Sequence, residues 1–219
     1  MTSARDLRCT PAGMRDRGIT NPGLTASIGT ALAVGGASAL TWSFAGAAPA
    51  PGSIEGVARS LGTVALIVGT LMALNYFYAL FLVRKLRRGE GVIASWIVPS
   101  LEFDRFRRVE RARTKRKNNW RMPGADWPSG LPVAFSANAV LVGDSYFLLR
   151  SRGLSRFYNV RIETDTVSSV EFAMCLTVLS AGSHGGTARY RGHLRIPIST
   201  RASVEAARVV GHYRQIIAN

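Results

Sequence analysis

The sequence predicts a membrane-anchored α+β protein, and three observations carry that expectation. No charged residue occurs from Leu24 to Ile54, and none from Ser60 to Val83. A basic junction, Arg84, Lys85, Arg87 and Arg88, closes the second run. Beyond it, apolar residues recur with period two between turn signals, and the chain ends in an amphipathic helical pattern.

The chain has 219 residues, 47% hydrophobic and 19% charged, with mean hydropathy +0.11. Its formal net charge is +15 and nearly all of it is arginine, since lysine occurs only at Lys85, Lys115 and Lys117. Such a field attracts anionic lipid or nucleic acid. An arginine-rich codon composition raises the total equally well, but it does not account for the clusters. Cys9 and Cys175 are too far apart and too unlike in setting to form a disulfide framework or a metal site, which fits a reducing compartment. Cys175, in an apolar run, reads as a small buried hydrophobe.

Residues 1–23 mix arginines with Pro and Gly, and they predict a disordered cytoplasmic tail in which Met14 is an alternative start. A span needs about 20 apolar residues, and 24–44 supplies the first. Small residues recur every four positions at Ser27, Ala31, Gly35 and Ala39, with Gly29, Ala33 and Ala37 alongside. The second span, 60–83, offers Ala65, Gly69 and Ala73. The two rows predict close helix packing. A cleaved signal peptide ending at 45–48 is the competing reading of the first run.

Pro49 to Gly52 breaks the helix, and Tyr76, Phe77, Tyr78 and Phe81 form an aromatic belt near the junction. Asn75 reads as a hydrogen-bonding group within the span. Arg and Lys are dense on both flanks, whereas the connecting loop has only Arg59, so the positive-inside rule predicts both termini in the cytoplasm.

The remaining residues, 84–219, predict one cytoplasmic domain. Residues 92–98 are β-branched and aromatic, a strand. Ser100 caps a helix running to about Lys117, with Phe103, Phe106 and Val109 on one arc. Arg105, Arg107, Arg108, Arg111, Lys115 and Arg116 share the other arc. With Trp120 and Trp127 following, this basic side suits lipid headgroups, less well nucleic acid, or simple solvation. Residues 133–135 and 140–142 flank a hairpin turn at Ala137-Asn138, and further strands follow near 146–149, 158–163 and 167–179. In the last strand Tyr190, Leu194, Ile196 and Ile198 point one way, and Arg189, Arg191, His193 and Arg195 the other. The basic side reads as an anionic-ligand surface or as a solvated sheet face. The final helix, 202–217, would bury Val204, Ala207, Val210, Tyr213 and Ile217.

Three stretches together resemble the bacterial membrane proteins that join two N-terminal spans to a cytoplasmic pleckstrin-homology-like (PH-like) domain. They are the junction Arg84 to Arg88 leading into Gly91 to Trp96, the run Ala139 to Phe147, and Arg195 to Ile198 with the final helix. The resemblance implies an antiparallel PH-like barrel with a C-terminal capping helix, and the inserted basic helix, 101–117, departs from the simple PH order. It also implies a bacterial inner-membrane location and a binding module for headgroups, peptides or proteins.

No P-loop or dinucleotide-binding glycine pattern occurs, and His184, His193 and His212 lack metal-ligand spacing. Residues 182–186 read as a glycine hairpin tip, not a nucleophile elbow. Carboxylates are sparse, and acid–base chemistry would need a spatial pair such as Glu163 with Glu171. The expectation is therefore a non-enzymatic membrane adaptor without cofactor or metal. Its partners would be anionic headgroups, a membrane protein or a second copy. The alternative is an accessory or assembly subunit of a larger membrane complex. The candidate anion-binding residues are Arg84, Lys85, Arg87, Arg88, Arg105, Arg108, Arg111, Arg189, Arg191 and Arg195.

Overall fold

The computed structural model describes residues 10–11, 18–45, 53–122, 127–164, 166–179 and 187–218. The turn at 49–52 and the glycine tip at 182–186 lie outside the described residues. The chain divides into a helical unit, 21–85, and a sheet unit made of 1–20 with 86–219.

The helical unit holds α1 (Pro22–Phe44) and α2 (Ile54–Arg87), both long and apolar enough to cross a membrane. At 1.5 Å per residue α2 is about 51 Å long, well beyond a hydrocarbon core of ~30 Å. It begins at Ile54 rather than Ser60 and runs through Arg84, Lys85 and Arg87 without a break, so the basic junction is helical.

The seam between the two helices is not the expected four-residue row on α1. Its buried positions are Ala26, Gly29, Gly36 and Ser43, with Ala33 half-buried. On α2 the facing residues are Gly62, Leu66, Gly69 and Ala73. Spacings that alternate three and four keep a seam facing its partner along both helices, whereas a strict four-residue row drifts off it. A methyl group added to Gly29 would lie 2.7 Å from the Ala73 nitrogen, and one on Gly36 2.5 Å from that of Leu66. One on Gly69 would collide with the Ala33 nitrogen. The backbones therefore touch. Ala31 and Gly35, expected at this contact, are exposed, and nothing lies within 4 Å of a methyl group built on Gly35. Ala39 borders Gly62, and Ala65 is half-buried beside the seam. At the end of α1, Arg59 donates from Nη2 to the Ser43 carbonyl at 3.0 Å and lies 4.1 Å over the Phe44 ring, tying the two helices together.

The sheet unit contains β1 (Thr10–Pro11), β2 (Ile19–Thr20), β3 (Val92–Val98), α3 (Ser100–Ala112), β4 (Leu131–Ser136), β5 (Ala139–Val142), β6 (Ser145–Leu148), β7 (Ser155–Glu163), β8 (Ser169–Leu179), β9 (Thr187–Pro197) and α4 (Ser203–Ala218). One sheet has the order β2-β6-β5-β4-β3 and the other β1-β9-β8-β7. Both are antiparallel meanders, except that β1 lies parallel to β9. No strand pairing joins the two sheets among the described residues, so they do not form a closed barrel. Among the described residues of the N-terminal segment, Ile19 pairs with Tyr146, and Thr10 with Tyr190.

The core fills the space between the sheets. Trp96, Phe135, Phe157, Phe172 and Tyr213 interlock with ring centroids 5.1–6.3 Å apart. Edge-on contacts of this kind contribute about 0.5–1.5 kcal/mol each beyond area burial. Trp96 Nε1 donates to the Pro197 carbonyl at 3.0 Å, linking β3 to β9. Tyr213, on α4, donates its hydroxyl to the Ser136 carbonyl at 2.8 Å, and burial pushes its pKa upward. The stripe that α4 buries is Ala206, Val209, Val210 and Tyr213; Val204 and Ala207, expected there, face outward because the helix is rotated about its axis.

One of the two tryptophans that follow α3 is also in the core. Trp120 is buried beside Phe103, with its indole N–H donating to Ser145 Oγ at 3.2 Å. Helix α3 starts where the sequence indicates but stops at Ala112, five residues short of Lys117. Arg113 turns extended, and Arg116 takes a left-handed conformation at φ 52. These two changes carry the chain onto the outer face of the second sheet.

Candidate functional site

That outer face is built by strand register. Arg161 on β7 pairs with Glu171 on β8, and Glu171 with Arg195 on β9. One step along, Asn159, Ala173 and His193 form the next row. Strand alternation sends these side chains to the side opposite Val160, Phe172 and Leu194, which are in the core. The segment after α3 then covers part of the face. Asn118 Nδ2 donates to the Arg195 carbonyl at 2.8 Å, and its Oδ1 accepts from the Arg195 backbone N–H at 3.1 Å. Asn119 N–H donates to the His193 carbonyl at 2.7 Å. Gly192 makes this approach possible, since a Cβ there would collide with the Asn119 amide.

Covering the face removes Arg195 from solvent. Expected on an anionic-ligand surface, it is 0% exposed and is not available to an external anion. Its guanidinium is enclosed by three glutamates from three elements. Nη1 lies 3.2 Å from Glu110 Oε2 on α3, and Nη2 lies 3.0 Å from Glu171 Oε1. Nε is 2.8 Å from Glu163 Oε2, close enough for an ion pair though off the hydrogen-bond line. Nη1 also donates to the Arg116 carbonyl at 2.7 Å. A buried guanidinium loses several kcal/mol of hydration and is tolerated only with this density of partners. Glu163 and Glu171, the spatial pair that acid–base chemistry would have needed, thus converge on Arg195 instead.

The carboxylates feel opposing influences. For Glu171, burial works against ionisation. Hydrogen bonds from His193 and Arg161 and the charge of Arg195 outweigh it and hold the carboxyl at about 2. Arg161 Nη2 lies 2.6 Å from Glu171 Oε2, and His193 Nδ1 donates to Oε1 at 2.9 Å. For Glu110 burial prevails and raises the pKa, even with Arg195 and Arg113 beside it.

A cavity of about 180 Å³ opens on this face, lined by Arg116, Tyr158, Asn159, Arg161, Glu171, Ala173, Arg191 and His193. Arg191 is an expected site residue that lines it, while Arg189 lies two positions along the same strand and is exposed. Arg116, Arg161 and Glu171 were not singled out together by sequence reasoning. The one legible signal was His193 alternating with the arginines of the last strand.

The other expected basic residues form two separate groups. Arg84, Lys85, Arg87 and Arg88 are exposed at the end of α2, with Arg87 Nη2 2.6 Å from Asp144 Oδ1. Arg105, Arg108 and Arg111 are exposed along one side of α3, three residues apart as the helix requires. Among the described residues no group of His, Cys, Asp and Glu is arranged to hold a metal ion. Comparison with protein-family models, curated proteins and solved structures finds no match to the chain.

Proposed function

We propose that this protein is a non-enzymatic integral membrane adaptor of the bacterial inner membrane, with both termini cytoplasmic. Its PH-like sheet unit binds anionic headgroups or a partner protein at the inner leaflet. The observation that carries this reading is topological. Residues before α1 and after α2 belong to one sheet unit, through β2 pairing with β6. A chain that leaves a unit through one apolar helix and rejoins it through another stays on one side of a bilayer. The positive-inside rule assigns that side to the cytoplasm, because the basic residues flank the hairpin. Two antiparallel meanders and a C-terminal helix on the core are the features that support the PH-like assignment.

Reporter fusions at each terminus test the topology: activity of a cytoplasm-dependent reporter at both ends is expected, and export of either end would refute it. The headgroup arm predicts that the full chain in neutral detergent retains anionic phospholipid over phosphatidylcholine. Equal retention would sink that arm. One observation favours the accessory-subunit reading as a second possibility. Ser27, Ala31, Gly35 and Ser38 remain exposed on the outer side of α1, away from the hairpin seam, where a further helix could approach closely. Co-migration with a large complex on native sizing would support it.

A further inference from the structure

The cavity on the outer face of the second sheet has a chemistry of its own. Three of its lining side chains are arginines, Arg116, Arg161 and Arg191, and His193 stands beside them. Its one carboxylate, Glu171, is already met by Arg161, His193 and the buried Arg195. An entering anion therefore faces a cationic lining and not an open acid. His193 has its Nδ1 engaged by Glu171. The nitrogen left to meet a ligand is Nε2, which with Nδ1 protonated accepts from a phosphate hydroxyl, and the ring orientation is fixed by the same contact. Three of these four residues, Arg161, Arg191 and His193, are on strands in hydrogen-bonded register. The fourth, Arg116, is held at φ 52, a conformation costly for a non-glycine residue that persists only where its surroundings impose it. Its carbonyl is fixed by Arg195 at 2.7 Å.

The size narrows the ligand. About 180 Å³ is well below the ~300–1,000 Å³ of pockets that enclose a drug-sized molecule. It admits one tetrahedral oxyanion and the atoms next to it. Guanidinium forks match a phosphate through paired hydrogen bonds, and a terminal phosphate presents more charge and more free oxygens than a diester.

The geometry points to a phosphate-monoester site lined by Arg116, Arg161, Arg191 and His193, taking the terminal phosphate of a lipid headgroup or of a free small molecule. The lipid source rests on the headgroup binding proposed above; the site itself does not. It is separate from the junction and from the exposed side of α3, which attract any anionic surface without choosing among headgroups.

The test uses the full chain in neutral detergent. Native mass spectrometry would compare retention of phosphatidic acid, a monoester, with phosphatidylglycerol, a diester. Calorimetric titration with inorganic phosphate and with glycerol 3-phosphate provides the lipid-free arm. The expected result is a preference of about tenfold for phosphatidic acid, equivalent to ~1.4 kcal/mol. The double variant Arg116→Gly/Arg191→Gln should abolish it, since glycine suits the left-handed backbone and preserves the fold. Ala173→Asp, which places a carboxylate in the cavity, should abolish it independently, and Arg105→Gln/Arg108→Gln should leave it intact. Binding of glycerol 3-phosphate without a lipid preference would support the site and assign its source to a soluble ligand. Equal retention of the two lipids with no binding of either soluble phosphate would overturn the site. The headgroup reading would survive that result if both lipids were still retained over phosphatidylcholine, and would fail with it if neither were.

Discussion

Arg195 and Glu171 face each other across β9 and β8 with Nη2 3.0 Å from Oε1, and both are almost wholly enclosed. Around them Glu110, Glu163, Arg113 and Arg161 bring together α3, β7, β8 and β9. This ion cluster fastens the helix inserted after β3 to the second sheet, and it supports the floor of the cavity.

Arg195→Met should destabilise the sheet unit strongly. It leaves three carboxylates facing an apolar side chain, and removing one partner of a buried ion pair typically costs about 3–5 kcal/mol. Chemical denaturation of the full chain, followed by tryptophan fluorescence, measures the loss. A change below ~1 kcal/mol would mean that the cluster contributes little to the fold.

Glu171 makes stability depend on acid. Its folded pKa, about 2, lies below the ordinary value of 4.5, so the folded state binds its proton less readily than the unfolded chain does. Its contribution is complete above pH 4.5 and disappears as the pH falls toward 2. The full shift corresponds to ~3 kcal/mol. Glu110 has the opposite sign: its pKa is raised, so its contribution is present at low pH and lost as the pH rises through its folded value. Denaturation midpoints measured between pH 2 and 7 should therefore show a shallower acid limb in Glu171→Gln and a steeper one in Glu110→Gln.

The helix seam predicts a contrast between two glycines of α1. Gly36→Val places atoms against the Leu66 backbone and should loosen the hairpin by about 1–3 kcal/mol. Gly35→Val points into open space and should be close to neutral. Disulfide trapping between cysteines introduced on α1 and α2 distinguishes the two. Equal trapping in both variants would contradict the heptad seam.

Charge removal on α3 should separate attraction from folding. Replacing Arg105, Arg108 and Arg111 by Gln takes away exposed charges, each worth about 1 kcal/mol near an anionic leaflet. Association of the sheet unit with the leaflet, read by cross-linking of residues on α3 to anionic lipid in nanodiscs, should fall. The denaturation midpoint should move by no more than the ~0.5 kcal/mol usual for surface changes.

Element types were legible because periodicity is local. The apolar runs, the hairpin at 137–138, the alternation of β8 and the start of α3 follow from composition and spacing alone. Rotation and termination were not. α3 looks helical to Lys117, yet it ends at Ala112, where Arg113 finds Glu110 and Glu163 and Asn118 finds the backbone of β9. The apolar stripe of α4 runs through Ala206 and Val209 and not through Val204 and Ala207, because Val210 and Tyr213 fit either stripe.

The composition of single segments was enough to specify two bilayer-length apolar helices, a basic end to the second, a β-rich region and a closing helix, since each depends on neighbours within a few residues. Strand alternation likewise put Arg189, Arg191, His193 and Arg195 on one side of β9. It could not say which of them would meet solvent. That depended on where residues 113–119 came to lie, a contact made across more than 70 positions of chain in Asn118 with Arg195, 77 apart. Only when that segment sets the Arg116 carbonyl on the guanidinium and runs along the edge of β9 does Arg195 become a buried counter-ion to three glutamates. Arg191 and His193, on the same strand, are left at the wall of a cavity.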